Sequence, residues 1–514
     1  MSLSFILSTL IKENSKKINS NFERGSYAPK EECVGILLPA SFASSLLNLS
    51  VLLAQKVVVN LNFTAGEKAL QAAVKSAQIS QIYTSKKFLE KLESKGVSLN
   101  FGKEVNLIYM EDVVEIFKKQ KSKILAMMMA VSILPSFILK AIFAPSKNNL
   151  AIAAILFSSG SEGTPKGVML NNRNILSNIA QISDVLCTRN NDVILSSLPP
   201  FHAFGLTVTT FLPLLESIKS ITFADPTDAL GIAKAIAKNN VTIMCGTSTF
   251  LGIYARNKKL DAIMFESLRV VVSGAEKLKS EVRSAFEMKF KKSIFEGYGA
   301  TETTPVASVN LPNRFDADYW IVHRASKEGS VGMPLPGTAV RIVDPNTYET
   351  LKTNEDGLIL IGGHQVMVGY LNNKEKTDEV IKEIDGIRWY NTGDKGHLDE
   401  DGFLYIVDRY SRFAKIGGEM ISLGALEEEI AKFIDTNIVK FCTVALEDEK
   451  KGEQVALLIE CDEEFFEGVC EAIKSSSMPA IFKPSRYLKV EKIPLLGSGK
   501  VDLKGAKELA KSLV

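Results

Sequence analysis

Between an apolar stretch, "AIAAILF", and a helix-patterned one, "NRNILSNIAQI", the chain reads "SSGSEGTPKG" at 158–167. Ser158, Ser159, Ser161 and Thr164 carry hydroxyls, Gly160 and Gly163 let bare backbone approach closely, and Lys166 adds a point charge. Backbone N–H groups and hydroxyls at such a turn make a concave anion site suited to phosphate oxygens. It is not a Walker loop, which requires a hydroxyl after the lysine to hold magnesium; here Gly167 follows Lys166. "LLGSGKVD" near the C-terminus fails the same pattern, because Pro494 stands where the first glycine belongs.

Two more clusters bear on phosphate chemistry. "EGYGATETTP" at 296–305 groups Tyr298, an aromatic face for stacking, Thr301, a phosphate donor, and Glu302, a hard oxygen ligand for Mg²⁺. "WYNTGDKGHLDEDGFLYIVDR" at 389–409 supplies Asp394, a carboxylate able to accept from ribose hydroxyls, followed by Asp408 and Arg409. The four histidines, 202, 323, 364 and 397, show no H-E-x-x-H or other metal spacing, so no zinc site is expected.

The elements that must position these residues alternate strand and helix. "VGILLPA", "KVVVNLN" and "ISQIYTS" pattern as strands, with "FASSLLNLSVLLAQ" and "AGEKALQAAVKSAQ" as intervening helices. That rhythm predicts a parallel sheet covered on both faces. It returns at "SLRVVVSGAE" with the helix "KLKSEVRSAFEMKF". Glycine- and proline-rich turns from 329 to 370 predict a more antiparallel β region. After "FLYIVDRYSR" a small unit follows: a hairpin about Gly417 and Gly418, a helix "GALEEEIAKF", strands "FCTVALE" and "QVALLIE", and a last helix. The fold class expected is α/β, with a large N-terminal domain (1–408) of parallel sheets plus a smaller β subdomain, and a small α+β C-terminal domain (409–514).

With 514 residues and 46% apolar content, the chain can bury a large core and a second, smaller one. Its 61 basic and 59 acidic residues leave a net charge of +2, which argues against a nucleic-acid binder. Six cysteines without a C-x-x-C pair read as reduced, buried thiols. "MSLSFILSTLIKENSKK" reads as an amphipathic first helix rather than a secretory leader. One run breaks the soluble pattern: "ILAMMMAVSILPSFIL", 124–139, follows the basic "FKKQKSK" at 117–123. It is too short to span a bilayer, which takes about 20 apolar residues. A segment (about 124–144) lying in the membrane interface with lysines on anionic headgroups is one reading; a buried core helix is the other.

The glycine loop, Y-G-x-T-E (Tyr298 to Glu302, including Gly299), T-G-D ending at Asp394 and D-R at 408–409, in that order, resemble the adenylate-forming superfamily of acyl-CoA synthetases, luciferases and peptide-synthetase adenylation domains. The resemblance covers about 30–505 and implies ATP and Mg²⁺ as cofactors. It implies that Ser158 through Lys166 wrap the β- and γ-phosphates, and that Ser273, Gly274, Ala275 and Glu276 contact adenine with Tyr298 stacked on the ring. Glu302 would hold Mg²⁺, and Asp394 with Arg409 would grip the ribose. Asp408 would be a hinge. Lys500, in "IPLLGSGKVD", would bridge the substrate carboxylate and the α-phosphate before "KIGGEMIS" (Lys415, Gly417, Gly418) replaces it to line a thiol tunnel. His202 in "LPPFHAFGL" would lie beside the reacting carboxylate, and Phe204, Gly205, Gly246 and Thr247 would line an acyl pocket.

Finer features narrow the resemblance. Glu162 stands where most of the superfamily has threonine, which leaves Ser161 and Thr164 to supply the loop's hydroxyls. With "FHAFGLT", "GTSTFLG", "VVSGAEKL", "EGYGATE" and "FAKIGGEMISL", the chain is similar to bacterial acyl-[acyl carrier protein] synthetase, the fatty-acid-activating part of the bifunctional enzyme that re-acylates lysophosphatidylethanolamine. This implies a long-chain fatty acid and holo acyl carrier protein as partners, feeding phospholipid acylation or fatty-acid recycling at the cytoplasmic face of the bacterial inner membrane, in peripheral or monotopic contact. The acyltransferase half has an essential His-x-x-x-x-Asp, and none of the four histidines here has Asp five positions on. The carrier protein is acidic in that family, so basic docking faces are expected at 117–123 or at Arg486, Lys489 and Lys492. Two other readings stand beside it: a long-chain acyl-CoA synthetase, and a catalytically silent membrane-bound binding protein.

Overall fold

The first six strands are Cys33–Ile36 (β1), Val57–Asn60 (β2), Gln81–Thr84 (β3), Asn106–Tyr109 (β4), Ile152–Ser158 (β5) and Lys166–Asn171 (β6). The structure, a computed structural model, describes Ile11 and residues 32–514, apart from 95, 98, 103, 136, 139–148, 159–164, 417–418, 437, 449–451, 480–482 and 496–500. β1 to β5 pair in parallel, as β-strand–helix alternation dictates, and β6 turns back antiparallel on β5. The glycine loop is therefore the connection of a β5–β6 hairpin rather than a strand-to-helix turn; the helix Asn172–Leu186 begins only after β6.

A second seven-stranded sheet holds Val193–Ser196 (β7), Lys219–Thr222 (β8), Ile243–Gly246 (β9), Val270–Ser273 (β10), Ile294–Gly299 (β11) and Val306–Val309 (β12). After an isolated hairpin, Arg314–Asp316 (β13) with Ile321–His323 (β14), the strand Met333–Pro334 (β15) closes its edge. The order is β15-β12-β11-β10-β9-β7-β8. Residues of both large sheets and of the helix Asn172–Leu186 share one apolar core that includes Val34, Val58, Leu156, Ile175, Ile179, Ile194 and Val270. That helix starts on a reciprocal Asn171–Asn174 cap, which satisfies two otherwise orphan donors. Its buried amides then join the sheets: Asn174 Nδ2 donates to the carbonyls of His364 and Val366, and Asn178 exchanges hydrogen bonds with the Val306 backbone.

A smaller antiparallel sheet, as the turn-rich composition predicts, comprises Ala339–Val343 (β16), Gly357–Gly362 (β17), Ile381–Ile384 (β19), Ile387–Leu398 (β20) and Leu404–Arg409 (β21). The short strand Gly369–Tyr370 (β18), between β17 and β19 in sequence, pairs antiparallel with β6 of the first sheet. The remaining strands, Phe413–Ile416 (β22), Glu419–Ser422 (β23), Lys440–Asp448 (β24), Gly452–Glu460 (β25) and Arg486–Lys489 (β26), form a separate sheet. Its helices Leu423–Ala431, Glu463–Ser475 and Leu503–Ser512 cover it, and its apolar clusters draw only on residues from Ala414 onward. The architecture is thus α/β, with a large parallel-sheet N-terminal part and a small C-terminal one.

Part of the apolar run 124–139 lies on a helix with an exposed stripe. Lys121–Ile133 is helical, and Leu125, Met129 and Ile133, four residues apart on one face, are 56, 52 and 78% exposed. Among the described residues no helix is long and apolar enough to cross a membrane.

Candidate active site

Tyr298 and Glu302 lie four residues apart, and each is hydrogen-bonded to a residue from a distant stretch, Tyr298 to Asp394 and Glu302 to Tyr370. β11 ends at Gly299, where a side chain is impossible: a Cβ there would stand 1.7 Å from the Pro305 carbonyl oxygen. That close approach lets the chain turn into Thr301–Thr303, with the Thr303 hydroxyl accepting from Ala300 N and donating to Pro305 O. Gly299 therefore shapes the turn that presents Thr301 and Glu302.

Asp394 is buried on β20, opposite Arg409 of β21 in the register. The Tyr298 hydroxyl donates to its Oδ2 at 2.5 Å, and Arg409 Nε lies 3.0 Å from its Oδ1. Burial pushes the Asp394 carboxyl above its ordinary range, while the Arg409 charge and the Tyr298 hydroxyl pull the other way. Asp394 in turn raises the Arg409 guanidinium, and burial followed by the Asp394 charge raises the Tyr298 phenol. The tyrosine read from sequence as a stacking face is here a hydrogen-bond donor to Asp394.

Glu302 is half-buried, and its Oε1 accepts from the Tyr370 hydroxyl at 2.8 Å. Its carbonyl accepts from Met367 N. Lys166 Nζ, at the start of β6, lies 6.0 Å from the centroid of the Tyr370 ring. Tyr390 is buried in the same group, its phenol raised by burial and by Glu302, Tyr370 and Tyr298. Among the described residues no group of three or more His, Cys, Asp or Glu side chains is placed to hold a metal.

At the C-terminal end of β10, Gly274 N donates to Gly246 O, and Phe204 packs against Gly274, 3.2 Å from where a Cβ would stand. Glu276 accepts from Thr249 N at 2.6 Å, so its carboxylate sits at the start of the helix Ser248–Arg256 that Thr247 caps. Ala275 is exposed with φ +68°. Phe204 opens a π-helix, Phe204–Phe211, in which Gly205 O accepts from both Thr209 and Thr210 hydroxyls. Gly205 is pressed on the Pro199 carbonyl, 2.0 Å from an added Cβ, so it is a packing glycine as much as a pocket one. His202 is exposed on the turn just before, its ring 4.7 Å from Phe201.

Asp408 does not stand alone between the lobes: its Oδ2 accepts from Ser422 Oγ at 2.5 Å and Gly424 N at 2.9 Å, at the N-terminus of the helix Leu423–Ala431. Lys415 pairs with Met420 across the β22–β23 hairpin. Ser159, Gly160, Ser161, Gly163, Thr164, Gly417, Gly418 and Lys500 lie outside the described residues, and Ser158 is placed only by its backbone in β5. The ends of the Lys500 segment are pinned: Leu495 bridges Val501, and Asp502 caps the last helix through Gly505 N. Of the two proposed docking faces, Lys489 is engaged by Glu463 and Lys118 by Glu115.

Sequence reasoning missed Tyr370 and Tyr390. Tyr370 lies 68 residues from Glu302, and only the β18–β6 pairing brings it to Lys166. "MVGYLNN" carries no spacing that marks a site.

Residues 26–371 match the model of the AMP-binding enzyme family. The long-chain-fatty-acid–CoA ligase of Salmonella typhimurium is 31% identical over 60% of this chain and 52% of its own length. The 4-coumarate-CoA ligase 1 of Narcissus pseudonarcissus is 29% identical over 91% of this chain and 82% of its own. The chain thus spans about half the length of the fatty-acid ligases it matches. ATP-bound MatB from Rhodopseudomonas palustris shares the fold, with a TM-score of 0.77 at 21% identity over 99% of this chain and 92% of that one. The o-succinylbenzoate CoA synthetase of Bacillus subtilis, in complex with its acyl-adenylate, gives 0.74 at 19% over 99% and 91%. The matched span holds the strands that bring Lys166, Tyr298, Glu302 and Tyr370 together, and the chain belongs to the AMP-binding enzyme family.

Proposed function

We propose that this chain uses ATP to convert a long-chain fatty acid to its acyl-adenylate and then passes the acyl group to the phosphopantetheine thiol of acyl carrier protein. The observation that carries the nucleotide half is the meeting of Tyr298, Asp394 and Arg409 beside the Glu302–Tyr370–Lys166 group. The fatty acid is supported by the relatives named long-chain-fatty-acid–CoA ligase.

In this reading Asp394 accepts from ribose hydroxyls, held in place by Tyr298 and with Arg409 beside it. Lys166 and the 158–164 loop take the outer phosphates, and the β10 end with Gly274 to Glu276 borders the base. Glu302 fits a Mg²⁺ ion: it offers hard carboxylate oxygens, one of them already oriented, and substrate phosphates supply the rest of the shell. When bound, that ion neutralises charge on the phosphates. The fatty carboxylate attacks the α-phosphorus, pyrophosphate leaves, and a mixed anhydride with AMP results. Lys500, argued from sequence position alone, places an ammonium between two groups that otherwise repel. The thiol then gives up its proton, its sulfur bonds to the acyl carbon, and AMP leaves. His202 and Phe204 border the acyl side, with Gly205, Gly246 and Thr247 behind them. Asp408 is proposed as the boundary between a nucleotide-binding part, 1–408, and a mobile part, 409–514, that exchanges Lys500 for the Lys415–Gly418 hairpin between the two steps.

The membrane interface is proposed as the working site. The exposed stripe of Leu125, Met129 and Ile133, with Lys118, Lys119 and Lys121 just before it, supports attachment to an anionic bilayer surface such as the cytoplasmic face of a bacterial inner membrane. A second reading has coenzyme A as the thiol; the names of the fatty-acid ligase relatives favour it, while Glu162 and the companion motifs favour the carrier protein. The test is the purified chain with ATP, Mg²⁺, palmitate and either holo acyl carrier protein or coenzyme A. Turnover with the carrier protein at least tenfold above coenzyme A is expected; robust turnover with coenzyme A alone assigns the second reading. No pyrophosphate–ATP exchange with any fatty acid defeats both.

A further inference from the structure

We propose that Tyr370 is a positioning residue that fixes the Glu302 carboxylate and ties it to the strand carrying Lys166, so that cation and anion groups on two sheets act as one phosphate clamp. The inference rests on the nucleotide reading above and deepens it. The segment 365–371 is hydrogen-bonded on two sides. Toward the Glu302 turn, Thr304 Oγ1 donates to Gln365 O at 2.6 Å, Met367 N donates to Glu302 O at 2.8 Å, and the Tyr370 hydroxyl donates to Glu302 Oε1 at 2.8 Å. Toward β6, Val368 N donates to Met169 O, and Leu371 N donates to Gly167 O at 2.7 Å, one residue after Lys166. Between these attachments the Tyr370 ring has Lys166 Nζ on its face.

A glutamate side chain has several rotamers of similar energy, and one hydrogen bond to one oxygen selects among them. A bond from a neutral hydroxyl to a carboxylate is charge-assisted, about twice as strong as a neutral pair. With Oε1 held, Oε2 keeps its lone pairs for a divalent cation. Second-sphere donors of this kind set ligand orientation, and their loss typically weakens metal affinity about 10- to 100-fold. Tyr370→Phe removes only the hydroxyl and leaves the ring against Lys166, so it isolates the contact.

The experiment is isothermal titration of α,β-methylene-ATP into the full chain, with and without Mg²⁺, for the wild type, Tyr370→Phe, Glu302→Gln and the double variant, with melting curves alongside. The wild type should bind the nucleotide about tenfold or more tighter with Mg²⁺. Tyr370→Phe should lose most of that gain while binding the Mg²⁺-free nucleotide as the wild type does and melting within a few degrees of it. The double variant should bind no more weakly than Glu302→Gln alone, because both changes act through one ligand. A full Mg²⁺ gain in Tyr370→Phe, or losses that add in the double variant, overturns the proposal while leaving the nucleotide reading intact. A wild type that binds no nucleotide under either condition overturns the reading itself, and Tyr370's role with it.

Discussion

Asp192 shows what a single residue contributes when burial and partners both act on it. It is 3% exposed and accepts from Arg269 Nε at 2.8 Å, Arg269 Nη2 at 2.5 Å, the Thr242 hydroxyl at 2.7 Å and Arg189 N at 2.7 Å. Burial alone raises a carboxyl; here Arg269 and the donated hydrogen bonds more than offset it and bring Asp192 to about 2. A carboxyl depressed in the folded state stabilises fully above its unfolded value near 3.9, and that stabilisation fades as pH falls toward 2. That depression corresponds to about 2–3 kcal/mol at neutral pH. Arg269→Met leaves the carboxylate buried without its cation, which costs about 3–5 kcal/mol. Urea unfolding at pH 7 should show that loss, and the variant's decline in stability between about pH 4 and 2 should be shallower than the wild type's by the share that Asp192 contributes. Equal midpoints for the two proteins at pH 7 would remove the pair from the account. Nothing in the sequence marks this residue: Asp192 lies 77 positions from Arg269, and pairing needs the parallel neighbours β7, β9 and β10 to be in place. Glu302, Asp394 and Arg409 are different. Each sits in a short stretch whose residue types suggest a chemistry, Glu302 beside Tyr298 and Thr301, Asp394 in T-G-D and Arg409 in D-R, so they can be picked out before any fold is known.

At the scale of elements, the helix Lys121–Ile133 carries a prediction that separates surface from core. Leu125, Met129 and Ile133 are each more than half exposed, so replacing all three with glutamine should leave stability within about 1–2 kcal/mol, near the surface norm of ±0.5 each. Burying three such side chains in lipid is favourable by up to about 1.5–3 kcal/mol apiece. The triple variant should therefore lose at least tenfold in partitioning onto anionic phospholipid vesicles in a sedimentation assay, with its melting temperature nearly unchanged. A large drop in melting temperature with unaltered vesicle binding would show the stripe to be core. The sequence could not decide between these because a short, uniformly apolar run has no period to reveal a buried face. Where apolar and polar residues alternate with strand and helix spacing, as from Cys33 to Thr84, the parallel sheet was legible. The β5–β6 hairpin was not: "KGVMLN" after the glycine loop is a strand whose partner choice depends on neighbours, and the helix signal immediately following it masks the turn back. Likewise β18 is two residues long and pairs with β6, about 200 residues before it, a non-local pairing that no local pattern encodes.

For the whole molecule, the question is whether the C-terminal part can turn. Among the described residues its apolar clusters, from Ala414 to Ala510, are separate from the cores of the large sheets. A surface ion pair, Lys277 with Glu428 at 2.5 Å, reaches across, and both side chains are more than half exposed, so it holds by no more than about 1 kcal/mol. Covalent continuity runs through Asp408, whose carboxylate grips the start of the helix Leu423–Ala431 through Ser422 and Gly424. Because that helix belongs to the part that would turn, a rotation taken up at Asp408 and the residues after it must release these two contacts. If the two proposed half-reactions use different poses, changes at Lys500 and at Asp408 should affect them differently. Lys500→Ala should lower pyrophosphate–ATP exchange with a fatty acid by about 100-fold, the cost of removing one group that stabilises developing charge. Thioester formation from supplied acyl-adenylate should stay within about twofold of the wild type. Asp408→Pro, which fixes φ at the pivot and removes the side-chain grip, should do the reverse: exchange nearly intact, thioester formation reduced by at least tenfold. If both variants depress both steps equally, the two steps share one pose. The C-terminal sheet then serves as a fixed wall of the site, and the thiol must enter by a path that leaves Lys500 where it stands.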